Sequence, residues 1–222
     1  MNLIKSFTDT LSSIFGNKII LKAAFILSPI LFRESIYKSF VTYRIERQRG
    51  FLPTVDPILE KAILAHYEVN DRRLRNRDAI IHSALKITAD LLTFDGDLTD
   101  KTDPLSILQT GTVNSTSFAT FFMATAQYLI KKNGLSNRYI CLQYVAQRRQ
   151  NGTNLHDRYF SPYSGKSPFN NERDIVAILD LKTGEKRFVD PTLFEQISIT
   201  HINVEGERPP SVEKASAQVS ER

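Results

Sequence analysis

The hydrophobic pattern opens with a helical period. Leu3, Ile4, Phe7, Leu11, Ile14 and Phe15 fall on one face over residues 1–16, with Ser, Thr, Lys and Asp elsewhere. Gly16-Asn17 breaks the pattern, and Ile19 to Phe32 follows as a mostly apolar run interrupted by Lys22 and Pro29. A spanning helix takes roughly 20 apolar residues, and this run is shorter. It reads in three ways: a tilted anchor whose Lys22 snorkels, an interfacial helix pair, or a buried helix of the main domain. No small-x-small cleavage site follows the run, which argues against a secretory signal.

Residues 50–57 read as a connection, with Pro53 and Pro57 on either side of Thr54-Val55-Asp56. Asp56 before Pro57 is a helix start, an N-cap acid followed by proline at the first helical position. The helix uses Ile58, Leu59, Ala62 and Ile63 and breaks around Asn70. A second helix carries Leu74, Ile81, Leu85, Thr88 and Leu92, flanked by Ile80, Ala84, Ile87 and Leu91. So wide an apolar face calls for burial on two sides, as for a helix under a sheet.

The segment Gly111–Ser117 is rich in cap-forming residues, and an apolar helix over Phe118–Ile130 follows it and stops at Asn133-Gly134. Arg138–Ala146 reads as a strand. A long polar loop, 147–173, then leads to the strand Asp174–Asp180, a turn at Thr183-Gly184, and Lys186–Thr192. Loops of that length are uncommon unless they bind something or move, which makes 147–173 the first place to look for a protein partner. Residues 197–204 alternate as a further strand. From Glu205 the composition is that of a disordered tail over 205–222.

A helix running into a Gly-Leu turn and an Arg-Tyr strand, then a hairpin ending in Val189-Asp190-Pro191-Thr192, resembles the core of the transglutaminase-like (papain-like) superfamily. The resemblance implies an α+β fold, with amino-terminal helices packed against a small antiparallel sheet. It also implies a Cys-His-Asp triad, with the thiol at the start of the helix, the imidazole at the start of the second strand and the carboxylate at the end of the third. Ser115, Asp174 and Asp190 stand at those positions, so two of the three groups are replaced. A helix amino terminus favours a thiolate. A serine hydroxyl gains far less and needs an adjacent base, and aspartate is a poor base near neutral pH. Ser115, Thr116 and Ser117 are therefore expected to cap the helix. Cys141, the only cysteine, lies inside a strand and is expected to be packing.

The division expected is 1–49 as amphipathic and hydrophobic helices, 50–204 as the transglutaminase-like domain, and 205–222 as the tail. One cysteine excludes an internal disulfide and a cysteine-based zinc cluster. A net charge of +5 and a pI near 9.3 permit attraction to anionic surfaces without specifying one. Arg72, Arg73, Arg75 and Arg77 are the densest basic cluster. Without interleaved aromatics they read as a solvated helix face, which argues against nucleic acid. Asp95, Asp97, Asp100 and Asp103 lack the glycine and glutamate of a calcium loop and read as solvated loop acids. His66 and His82 are not at metal-pair spacing. No cofactor or metal is implied. His156 or His201 folding back on Ser115 would restore a base.

The expected function is a non-catalytic binding or accessory domain, with membrane contact through 1–32 and a main domain that is membrane-associated or cytoplasmic rather than secreted. The alternatives are an amide-bond hydrolase or acyltransferase of the same fold using a serine or a displaced histidine, and a basic membrane-surface or nucleic-acid-binding module.

Overall fold

Why the central helix forms is plain from its two ends. Asn114 caps it, the side-chain oxygen accepting from Ser117 N–H at 3.0 Å. At the other end Gly134 adopts φ 71°, with Gly134 N–H bonded to Lys131 O and Leu135 N–H to Ile130 O. That is the paired bonding of a Schellman turn, and glycine takes the left-handed conformation without steric cost. Between these caps Phe118, Phe121, Phe122, Met123 and Leu129 are fully buried. Each such side chain contributes roughly 1.5–3 kcal/mol relative to exposure.

The computed structural model describes residues 33–50, 53–67, 74–95, 98–150 and 172–206. Residues 1–39 and 40–222 form two separate units. The described part of the first is most of α1 (Arg33–Phe40), where Lys38 pairs with Glu34. The apolar segment 1–32 expected at a membrane lies outside the described residues, as do the tail from 207 and most of the 147–173 loop. Among the described residues no helix is long and apolar enough to cross a membrane.

The second unit is α+β. In chain order it contains β1 (Val41–Gln48), α2 (Pro57–His66), α3 (Arg77–Leu91), β2 (Thr93–Phe94), α4 (Pro104–Thr110), β3 (Thr112–Val113) and α5 (Ser115–Lys132). Then come β4 (Tyr139–Gln150), β5 (Glu172–Asp180), β6 (Lys186–Val189) and α6 (Pro191–Ile197). The sheet runs β1-β4-β5-β6, antiparallel throughout, while β2 and β3 make a short parallel pair. On one sheet face Tyr139, Cys141, Val176, Ile178 and Val189 join the α5 core. α3 packs on α5 and α6, so its two-sided burial comes from helices rather than from a position under the sheet.

Two expectations need correction and a third needs completing. Val41–Gln48, assigned to the amino-terminal helices, is a strand paired with β4, so the helical segment ends at Phe40. Its alternation of Val41, Tyr43 and Ile45 with polar residues is a period of two, and Val41 and Tyr43 are buried. Second, 197–204 is not a regular strand. α6 occupies 191–197, and the segment after it crosses from one sheet edge to the other. Ile202 N–H bonds Phe188 O on β6, Tyr43 N–H bonds Asn203 O, and Glu205 N–H bonds Tyr43 O on β1. Both edge strands are thereby covered at these points. Third, Asp103 is solvated as expected but is also the N-cap of α4, accepting from Ser106 N–H at 2.9 Å and from its hydroxyl. Those bonds hold its carboxyl below the usual range, the Ser106 hydroxyl most of all.

Candidate functional site

The amino-terminal turn of α5 and the start of β5 meet through Arg49, which follows β1. A register shift between Ile45 and Arg47 marks a bulge, after which Arg49 N–H bonds Gln143 O. From there the guanidinium reaches Asp174 with Nη2 to Oδ2 at 2.9 Å and Nε to Oδ1 at 3.1 Å. The forked pair is the strong geometry for guanidinium and carboxylate. Nη2 also approaches Thr116 Oγ1 at 3.4 Å. Gln143, buried on β4, donates from Nε2 to Asp174 Oδ2 at 3.2 Å, and Thr120 Oγ1 reaches Gln143 Oε1 at 3.3 Å. Both carboxylate oxygens of Asp174 are thus occupied by donors, one of them cationic.

Asp190 belongs to a different network. Val189 pairs with Val176, so Asp174 shares a pleat with Val189, while Asp190 follows on the opposite pleat. It N-caps α6, accepting at Oδ1 from Thr192 N–H at 3.1 Å and from the Thr192 hydroxyl at 2.6 Å. The Tyr43 hydroxyl donates to Oδ2 at 3.0 Å, and Arg173 Nη1 lies 3.5 Å from the same oxygen. Arg173 also donates to the Thr192 hydroxyl and lies over the Phe94 ring, 5.6 Å from its centroid. Adjacent residues of β5, Arg173 and Asp174, therefore anchor networks on opposite faces.

The serines do not join either network as nucleophiles. Ser115 is the first residue of α5 and is half-buried, whereas the cap is Asn114, which corrects the expectation that Ser115–Ser117 cap the helix. Ser117 is fully buried and its hydroxyl accepts from Lys101 N–H at 2.8 Å, fastening the 98–103 segment over the helix start. Among the described residues no carboxylate or histidine is hydrogen-bonded to either hydroxyl. His201, half-buried after α6, is not among the partners of Asp190, and His156 lies outside the described residues. Cys141 is buried on β4, and burial pushes its thiol up to about 12, so it is a thiol rather than a thiolate at neutral pH. Among the described residues the structure thus brings Asp174 to the first turn of α5 and keeps Asp190 apart from it, in a separate network.

Of the arginine cluster, Arg77 is buried and turned inward to Glu185, Nη2 to Oε2 at 3.1 Å and Nη1 to the backbone oxygen at 2.7 Å. Arg75 is exposed, and Arg72 and Arg73 lie outside the described residues. Sequence reasoning missed Arg49, Gln143, Tyr43, Arg173 and Thr192. Gln143 was detectable: it shares a pleat with Cys141 and Val145, and an inward-facing amide needs polar partners.

The chain matches no protein-family model, no curated protein and no solved structure.

Proposed function

We propose that residues 40–206 are a transglutaminase-like core whose catalytic positions have become structural ion pairs, and that the protein acts as a binding or accessory domain. The supporting observation is the state of Asp174. At the position the family gives to imidazole stands a buried carboxylate locked by Arg49 and Gln143. A base must exchange a proton with the reacting group, and a carboxylate held in a forked ion pair is poorly placed to do so. The order of helix, strand and hairpin, with Asp190 after the last strand, supports the family reading. Residues 151–171, the part of the expected 147–173 loop that lies between β4 and β5, are the proposed partner-facing segment.

The test is chemical. The full chain is incubated with a fluorophosphonate and with iodoacetamide, then with amide and ester substrates, beside Ser115→Ala. The expected result is no fluorophosphonate labelling, no iodoacetamide labelling beyond the slow alkylation that opening of the fold allows at buried Cys141, and no turnover above buffer. Stoichiometric labelling of Ser115, or hydrolysis that Ser115→Ala abolishes, would sink the reading and restore the hydrolase alternative.

A further inference from the structure

Positive charge collects at the end of the domain opposite the α5 amino terminus. α5 closes with Lys131 and Lys132, the turn into β4 carries Arg138, and Lys182 and Arg187 follow in the β5–β6 hairpin. Hydrogen bonds bring these turns together. Leu181 N–H donates to Arg138 O at 2.7 Å, and Arg77 reaches the backbone of Glu185 in the same hairpin. Three of these charges are already answered, Arg77 by Glu185 from inside the fold, Arg187 by the same Glu185 at 3.5 Å and Arg138 by Asp180 at 3.3 Å. That leaves the exposed Lys131, Lys132 and Lys182 as the rim, with Glu60 bonded to Tyr128 on its α2 side.

Two aliphatic side chains are exposed within this charge, Leu181 at 49% and Ile140 at 36%. Ile140 pairs with Leu179 on the sheet face away from α5. Scattered exposed leucines are ordinary, and lysines in the last turn of a helix complement its dipole. Aliphatic tips inside a basic rim are a different feature. The tips suit the boundary between headgroups and acyl chains, and the rim suits anionic headgroups. A nucleic acid would meet the charge equally, but single-stranded recognition stacks bases on open aromatic faces. Here Tyr139 is buried, while the half-exposed Tyr128 has Lys132 over its ring and its hydroxyl on the Glu60 carboxylate.

We propose that this end docks on an anionic lipid surface, with Leu181 and Ile140 entering it and Lys131, Lys132 and Lys182 meeting headgroup phosphates. Because the full chain also carries residues 1–32, themselves expected at a membrane, the test must be local. Cys141 is buried and unreactive, which lets a Leu181→Cys variant of the full chain carry a single nitrobenzoxadiazole probe. The same probe at Leu98→Cys, also exposed, reports the other end. Leu98 O accepts from Asn114 at the start of α5, about 27 Å away by helix length.

On phosphatidylcholine vesicles containing one-third phosphatidylserine, the 181 probe should brighten several-fold and shift blue while the 98 probe stays unchanged. Lys131→Gln with Lys182→Gln should weaken the titration at 181 by roughly 5-fold per lysine. An unchanged 181 probe, equal responses at 98 and 181, equal response to neutral vesicles, or insensitivity to the lysine changes would each overturn the proposal. A response to single-stranded RNA in place of vesicles would overturn it in favour of nucleic acid.

Discussion

The ion pairs on the two faces of β5 use the same groups in different settings. Arg173 and Asp190 are sealed, with side-chain exposures of 1% and 0%. Arg49 keeps 24% of its surface while Asp174 keeps 1%. On the sealed face the partners come from β1, β5 and α6, with Phe94 of β2 beneath the guanidinium. On the other face the pair joins the end of β1, β4, β5 and the first turn of α5, and water can reach one member. A buried charge stripped of its partner has no solvent to turn to, whereas a half-open one can be rehydrated. Chemistry alone therefore does not rank the two pairs; the route to water does.

The largest expected effect comes from Asp190→Asn. It takes from Arg173 the carboxylate it is buried against and weakens the α6 cap, at a cost of about 3–5 kcal/mol by urea denaturation of the full chain. Asp174→Asn makes the same change on the open face. It should cost about 1.5–3 kcal/mol, the range for losing a hydrogen bond to a charged group, because Arg49 can turn to solvent. Equal losses, or a greater loss at Asp174, would break the comparison.

Cys141 sharpens it further. It lies on the same pleat as Gln143, two residues away, and burial holds its thiol near 12. If the open face breathes before the whole fold does, alkylation of Cys141 in native protein is faster than global unfolding measured under the same conditions. Asp174→Asn should then accelerate labelling more than Asp190→Asn relative to their stabilities. Alkylation that tracks global stability in both variants would mean the two faces open as one unit.

Much of this fold was legible because local signals agreed with tertiary demand. Asn133-Gly134 ended α5 as read, and Asp56-Pro57 began α2, where Asp56 accepts from Ile58 and Leu59. The same dipeptide begins α4 at Asp103-Pro104 and α6 at Asp190-Pro191, so the one signal marks three helix starts. Asp190 was read as a family carboxylate, and that reading hid its cap. β1 was missed because the apolar run before it suggested more helix, although Val41, Tyr43 and Ile45 already alternated. The networks themselves were not legible. Arg49 and Asp174 are 125 residues apart, and only the bulge in β1 and the pairing of β4 with β5 bring them together. Nothing in a one-dimensional pattern records a bulge or which face an arginine takes.

The smallest effect tests how well α6, the helix capped by Asp190, tolerates charge. Glu195 on α6 is half-buried, and loss of solvent raises its carboxyl pKa above the ordinary value of 4.5. A raised carboxyl binds its proton more tightly in the folded chain than in the unfolded one. Its contribution is therefore greatest at low pH and is lost as pH rises from about 4.5 through the folded value. Glu195→Gln removes the titration. The variant should be the more stable protein at pH 7, with the difference shrinking as pH falls toward 4, where wild-type Glu195 is protonated. The effect is modest because half the side chain remains in water, where solvent carries much of the charge. Parallel stability curves for the two proteins across that range would mean that α6 leaves Glu195 fully solvated. The sealed region would then stop at Asp190 and Thr192 rather than continue along the helix.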